Sequence, residues 1–273
     1  MSTFRPIALI TGGSSGIGAA LARVFAANNH ETVLVARDGR KLDAVADEIG
    51  ARGLKRPHVL PIDLVRLDSG ARIGQELAAR GMEPAFVVNS AGFGLVGSAA
   101  VLDRAEQIDM IDLNVRALSD LSLRFVDSLQ RHKGGLLNVA SVAGFLPGAG
   151  MAVYYASKAY VLSFTEALHH ELGSKGVRVT ALCPGPVPTG FQDRAGVIIS
   201  DRVTAFFCLS AEQVARAGYA GLMAGRRVVV PGLANKLVTI GVRFVPHSFL
   251  LRVADERQRA RKMSGTPWSQ RPL

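Results

Sequence analysis

Apolar residues in this chain follow two alternating rhythms. Short runs open "IALITG" at Ile7, "ETVLVAR" at Glu31, "HVLPIDL" at His58, "AFVVNSAG" at Ala85, "GGLLNVAS" at Gly134, "VRVTALCPG" at Val177 and "RRVVVPG" at Arg226. They are rich in β-branched residues and apolar at successive positions, as strands buried on both faces by parallel pairing are. Between them apolar residues recur at helical spacing, as at Ile17, Leu21, Val24 and Phe25, and again at Leu42, Val45 and Ile49. "GARIGQELAARG" reads as a further helix, and a long helix is expected from about Asp103 to Arg131. Another is expected from Tyr154 to Leu172, and a last one in "SAEQVARAGYAGLMAG", where Ser210 and Gln213 fit a capping box. Asn28 and Asn29 mark the end of the first helix. The alternation predicts an α/β fold, a doubly wound parallel sheet of about seven strands with helices on both faces. Crossovers in such a sheet are right-handed, and ligands bind at the carboxyl ends of the strands.

The chain has 273 residues, 48% of them hydrophobic, without a compositional break or a short repeat. One catalytic domain over 1–233 is expected, followed by a basic extension over 234–273. In that extension eight Lys and Arg oppose Asp255 and Glu256, so +6 of the net +10 lies there. A solvated tail explains this, and so does attraction to an anionic membrane surface or an acidic partner. The pI near 10.2 alone would suit nucleic acid. Aromatic and basic residues are not interleaved as nucleic-acid binding requires, so no such partner is expected. Cys183 and Cys208 are the only cysteines. With no signal-peptide core and no apolar run of about 18 residues, a cytoplasmic protein is expected, peripheral to membranes at most.

Chemistry-bearing residues fall just after the strands. "TGGSSGIG" runs from Thr11 to Gly18 between the first strand and the first helix. Gly12, Gly16 and Gly18 let the backbone approach a diphosphate, held by the amides of Ser14, Ser15, Ile17 and the helix N-terminus. The literal G-x-G-x-x-G lies elsewhere, at Gly92 to Gly97, where no βαβ unit begins and no helix is expected to open. Arg37 follows the second strand, where an arginine suits a ribose 2′-phosphate and an acid suits NAD. NADP(H) is therefore expected over NAD(H). Asp38 opposes this unless it turns away to cap the next helix. Asp63, beside Leu64, either bonds the adenine amino group or caps a turn. "NSAG" offers Asn89, Ala91 and Gly92 as small residues against which a dinucleotide can lie. The histidines suggest no metal: His169 and His170 are adjacent and read as helix-surface residues.

Tyr154 and Lys158 stand four residues apart in "YYASK" and so share a helix face. A nearby ammonium favours phenolate. A lowering by about 2–3 units would bring the phenol toward the range of acid–base work. Tyr155 points about 100° away. Ser141 ends the fifth strand, where its hydroxyl faces the cofactor crevice. Asn114 lies in the long helix, where it either bonds its own turn or holds a water behind the lysine.

With TGGSSGIG, NSAG, Asn114, Ser141, Tyr154 to Lys158 and "PGPVPT" (Pro184 to Thr189) in this order, the chain resembles the short-chain dehydrogenase/reductase family from about Ile7 to Pro231. The resemblance implies a Rossmann-like fold and hydride exchange between nicotinamide and a carbonyl or secondary alcohol. Tyr154 would be the general acid, Lys158 would hold the nicotinamide ribose and lower the phenol pKa, Ser141 would bond the substrate carbonyl, and Asn114 would position a relay water. Pro184, Gly185, Val187 and Thr189 would border the nicotinamide. Ser90 departs from the second asparagine common in the family.

A lid is expected over about 186–210, with Phe191, Val197, Ile198, Ile199, Val203, Phe206 and Phe207. Either it packs on its own body or, with Phe93, Phe145 and Leu146, it walls a pocket for a lipophilic ketone, steroid-like or 3-oxoacyl-like. Tyr160, Val161 and Phe164 make the Tyr154–Leu172 helix apolar on more than one side, which fits a homodimer or homotetramer. The alternatives are an NAD-dependent alcohol dehydrogenase and a dinucleotide-binding regulatory protein without turnover.

Overall fold

The computed structural model describes residues 4–188, 208–246, 248 and 251. Its strands are β1 (Arg5–Thr11), β2 (Thr32–Ala36), β3 (His58–Pro61), β4 (Met82–Asn89), β5 (Gly135–Val139), β6 (Arg178–Leu182) and β7 (Val228–Val229). They pair in parallel in the order β3-β2-β1-β4-β5-β6-β7, the doubly wound sheet that the alternation predicts. The chain winds outward from β1 in one direction, then from β4 in the other. The crevice between the carboxyl ends of β1 and β4 is thus the switch point where such sheets bind ligands.

Helices α1 (Gly16–Ala27), α2 (Gly39–Ala51) and α3 (Ser69–Ala79) follow the first three strands. Next come α4 (Arg104–Ile111), α5 (Leu118–Arg124) and α6 (Val126–Arg131), then α7 (Ala152–Gly173), α8 (Ala211–Met223) and α9 (Leu233–Gly241). One core lies between the sheet and α1, α2 and α8, around Ile10, Leu21, Phe25, Leu34 and Leu182. The other, around Leu9, Val87, Leu121, Leu136 and Leu168, lies on the opposite face. The Ser210–Gln213 capping box is formed, and Asn29 ends α1 with φ +64°.

Four features differ from the pattern. The long helix is interrupted: Asp112–Ala117 is a π-turn carrying Asn114, and Phe125 breaks the ladder between α5 and α6. The edge strands are less buried than the inner ones, because β3 has a neighbour on one side only, with His58 half-buried and Pro61 exposed. Within β4, Pro84 has no amide to donate, and the register with β1 slips there, Ile7 facing Pro84 and Ala8 facing Phe86. His169 is also less exposed than a surface residue: its ring Nδ1 lies 2.7 Å from the Val179 carbonyl oxygen. Of the expected lid, 189–207 lies outside the described residues, as does most of the C-terminal extension.

Candidate active site

At the mouth of β1 the glycine loop is held by sterics. Gly12 has φ +68°, and a Cβ there would stand 2.9 Å from the Ala91 backbone. A Cβ on Gly18 would stand 2.1 Å from the Gly12 carbonyl oxygen, so α1 packs directly on the loop that precedes it. Thr11 joins this loop to the one after β4, its Oγ1 accepting from the amides of Ser90 at 3.1 Å and Ala91 at 3.2 Å. Ser15 is the N-cap of α1, yet its side chain makes no capping bond. Among the described residues the first-turn amides of α1 have no side-chain partner, and helix N-termini so left attract anions. A cavity of about 350 Å³ opens on the same loop, lined by Ser14, Ser15, Gly16, Arg23, Pro188 and Glu212 among others. Close backbone approach, an uncapped helix and small residues together fit a dinucleotide diphosphate.

The residues expected around the adenosine divide. Arg37 is exposed and makes no ion pair among the described residues. Asp38 turns back to cap α2, accepting from the Lys41 amide at 3.1 Å. Asp63 caps a turn, accepting from the Val65 amide at 3.1 Å, and Leu64 beside it is buried. The Asn89 side chain belongs to the interior: its Nδ2 donates to Ser122 Oγ at 3.0 Å and Asn138 Oδ1 at 2.9 Å.

The residues expected to carry the proton transfer converge from three elements. Asn114, fully buried in the π-turn, accepts from the Phe93 amide at 3.1 Å and donates back to the Phe93 carbonyl at 3.0 Å. Its Nδ2 also donates to Ser157 Oγ at 3.1 Å, and Ser157 donates in turn to the Tyr154 carbonyl at 2.7 Å. Asn114 therefore bonds across to α7 and the Gly92–Phe93 loop, not to its own turn. Both Nδ2 hydrogens are used, which leaves Oδ1 and the backbone carbonyl as acceptors for any water. A Cβ on Gly92 would come 2.9 Å from Asn114 Oδ1 and 3.5 Å from Lys158 Nζ, so the glycine keeps these groups in reach of the crevice.

Ser141 hydrogen-bonds Tyr154, accepts from the Ala143 amide at 3.1 Å and approaches the Pro184 carbonyl at 3.5 Å. Pro184 also accepts from the Val142 amide at 3.0 Å. This brings the segment after β6 against the end of β5. A Cβ on Gly185 would meet Asn235 Oδ1 of α9 at 2.4 Å, and Val187 is buried. Thr189 lies outside the described residues.

Lys158 Nζ donates to the Val139 carbonyl at 2.9 Å and stands 5.9 Å from the centre of the Tyr154 ring. The phenol does not follow the expected downward shift. Burial pushes Tyr154 up to about 12, against the opposing Ser141 hydrogen bond. Burial also brings Lys158 down to about 8. At this range a desolvated ammonium stabilises phenolate less than water did, so desolvation wins. The consequence is a phenol that keeps its proton, which suits a proton donor. Tyr155 stands edge-on to Tyr154, ring centres 6.1 Å apart at 78°.

Thr11, Ser157 and Tyr155 join the site without having been singled out by spacing. Ser157 and Tyr155 carry a readable signal, since both fall between Tyr154 and Lys158 on the same helix, whereas Thr11 carries none.

The short chain dehydrogenase family profile matches residues 6–196. An uncharacterized oxidoreductase of Staphylococcus aureus (strain MW2) is 33% identical over 187 residues, 67% of this chain and 78% of that protein. A short-chain dehydrogenase from Sphingobium yanoikuyae in complex with NADPH superposes with a TM-score of 0.75 at 29% identity, over 98% of this chain and 99% of that one. The bulky-bulky ketone specific alcohol dehydrogenase from Comamonas testosteroni gives 0.71 at 27% identity, over 99% and 98%. The match runs from the glycine loop through Tyr154 and Lys158 and past the end of β6, and by it this chain belongs to the short-chain dehydrogenase family of oxidoreductases.

Proposed function

We propose that this protein is an NADP(H)-dependent reductase of lipophilic ketones, steroid-like or 3-oxoacyl-like. The observation that carries the reading is the meeting of Ser141, Tyr154 and Lys158 beside the glycine loop, with the Tyr154 phenol held protonated. Nicotinamide bound there would supply a hydride to the carbonyl carbon. The Tyr154 hydroxyl would donate its proton to the carbonyl oxygen, and the Ser141 hydroxyl would hold that oxygen in place. Lys158 would bond the nicotinamide ribose and steady the phenolate as it forms. Asn114 would fix α7 and the Gly92–Phe93 loop around them and position the relay water.

Arg37, exposed and without an ion pair among the described residues, with Asp38 turned into a helix cap, supports NADP(H) over NAD(H). The NADPH bound to the Sphingobium relative agrees with this. The name of the Comamonas relative, with buried Phe93 and half-buried Phe145 and Leu146 near the site, supports a bulky, apolar ketone. Tyr160, 42% exposed and stacked on Phe164, supports a homodimer or homotetramer built on α7. We place the protein in the cytoplasm, with the basic C-terminal segment touching an anionic membrane surface. The test is oxidation of NADPH and of NADH against ketones graded in chain length and ring number. Turnover with NADPH that rises with apolar size is expected. A clear NADH preference would overturn the cofactor assignment, and cofactor binding without turnover on any ketone would favour a regulatory protein.

A further inference from the structure

Helix α9 is built inside out. Asn235 and Thr239 face the body, 4% and 5% exposed, while Leu233, Leu237 and Ile240 stand 79%, 70% and 57% exposed. Phe244, just beyond the helix, is 83% exposed. A helix on a globular domain ordinarily buries the apolar stripe and offers the polar one to water. The inward polar groups are satisfied, Asn235 Nδ2 donating to the Pro231 carbonyl at 3.0 Å and Thr239 Oγ1 to the Lys236 carbonyl at 2.9 Å. The inversion is therefore stable as folded, and its cost lies in the apolar surface left facing outward.

Leu233, Leu237, Ile240 and Phe244 follow one another by four, three and four residues and so form one stripe. At 1.5 Å per residue the stripe is about 16 Å long. On a helix about 10 Å across, such a face covers only about 160 Å², small beside the roughly 800 Å² that each partner buries in a stable protein interface. It is the scale of a helix lying in the boundary between lipid headgroups and acyl chains, where a few large apolar residues insert and cations hold the surface. Charge agrees. Lys236 is exposed and unpaired among the described residues. From Leu233 to Ala254 the sequence holds Lys236, Arg243 and Arg252 and no Asp or Glu.

We propose that α9 docks this protein on an anionic lipid bilayer, with Leu233, Leu237, Ile240 and Phe244 inserted at the headgroup boundary and Lys236 at the phosphates. The helix is braced to the active-site crevice, since Asn235 lies under Gly185 and the neighbouring Pro184 carbonyl accepts from Val142 beside Ser141. Docking thus sets the crevice next to the bilayer, the source of a lipophilic ketone; this last step rests on the reductase reading above, whereas the docking deepens the membrane contact proposed there and rests on α9 itself.

The experiment is sedimentation of the full chain with vesicles of phosphatidylcholine alone and of phosphatidylcholine with phosphatidylglycerol. The variants are Leu237→Glu with Ile240→Glu, and Lys236→Glu alone. The unchanged protein should sediment with the phosphatidylglycerol vesicles, less so at high salt. The double variant should bind at least tenfold more weakly, and Lys236→Glu should weaken binding several-fold while disturbing no apolar contact. Failure of the unchanged protein to sediment with either vesicle, or sedimentation of both variants like the unchanged protein, overturns the proposal. So does a double variant that loses mass in gel filtration, since the stripe would then join two copies. NADPH oxidation with the graded ketone panel, its bulky apolar members included, is followed in parallel without vesicles. Turnover without vesicle binding overturns docking and leaves the reductase standing, and vesicle binding without turnover does the reverse.

Discussion

Tyr155 packs its ring on Gly148 so closely that a Cβ on the glycine would stand 2.4 Å from Cδ2 of the tyrosine. The contact uses the ring and not the hydroxyl. It holds Tyr155 edge-on to Tyr154 and makes it a wall for the neighbouring phenol. Tyr155→Phe keeps the ring and should leave turnover within about twofold. Gly148→Ala forces the ring to move, at a cost of about 1–3 kcal/mol in stability. It should also lower turnover, because Tyr154 loses its flank. Thermal melts and initial rates on the two variants check this, and a Gly148→Ala protein with unchanged rate and melting would show that the contact yields freely.

Tyr154 itself behaves differently. Its hydroxyl, bonded to Ser141 and kept protonated by burial, is the only acid that the proposed reaction uses. Tyr154→Phe should lower kcat by about 10²–10⁴, the usual scale for a lost general acid, with little change in cofactor affinity. Rates and NADPH binding by fluorescence separate the two effects. Equal losses in Tyr154→Phe and Tyr155→Phe would refute the assignment.

Buried parallel strands announce themselves as apolar runs, which is why β1, β2, β4, β5 and β6 are legible in the sequence. Tyr154 and Lys158 are legible because both sit on one helix, where spacing is geometry. The slip at Pro84 is a matter of pairing with β1, and spacing along one strand does not reveal it. The π-turn at Asn114 leaves the apolar rhythm of the long helix nearly intact, so that stretch reads as one helix. The direction of the Tyr154 shift depends on how much protein surrounds the phenol, a sum over residues distant in sequence. The packing role of Tyr155 is not legible, because its partner, Gly148, belongs to a loop whose path the sequence does not specify. The Asp38 cap, a local event three residues long, is one of the two placements that the sequence offers for this side chain.

Arg37 gives the cofactor prediction. A charge-assisted hydrogen bond to a phosphate is worth about 1.5–3 kcal/mol, so Arg37→Ala should weaken NADPH binding by about tenfold or more. NADH, lacking the 2′-phosphate, should bind the variant nearly as before. Titration of both cofactors checks it, and an equal loss for both would assign Arg37 to the adenine or to the fold instead.

Ser157 links Asn114 to the Tyr154 backbone, accepting at 3.1 Å and donating at 2.7 Å. It touches neither substrate nor cofactor in the proposed reaction and acts as a positioning residue. Ser157→Ala leaves a buried Asn114 donor unpaired, a loss of about 1–3 kcal/mol. The expected result is a fall in kcat with KM for the ketone nearly unchanged, and partial rescue by Ser157→Thr. A stability loss without any change in kcat would reduce the residue to a packing role.

Lys158 supplies the pH prediction. Burial lowers its folded pKa to about 8 from an ordinary 10.5. Between those values the unfolded lysine holds a proton that the folded one has released. Stability from this group therefore rises with pH across the window, because the desolvation penalty is full below about 8 and gone above 10.5. Cys183 and Tyr154 act in the opposite sense. Each is raised to about 12, from 9.0 and 10.0 respectively, and the stability each gives is lost as pH climbs from its ordinary value toward 12. The interval from about 8 to 9 precedes most of that loss, and comparison with a Lys158 variant cancels the part that Cys183 has begun. Across it the unchanged protein without cofactor should gain about 1 kcal/mol relative to Lys158→Met. Urea unfolding at the two ends of the interval, on both proteins, measures the difference. Parallel behaviour would mean that the lysine keeps its proton when folded, and the upward push on Tyr154 would then have to be reconsidered with it.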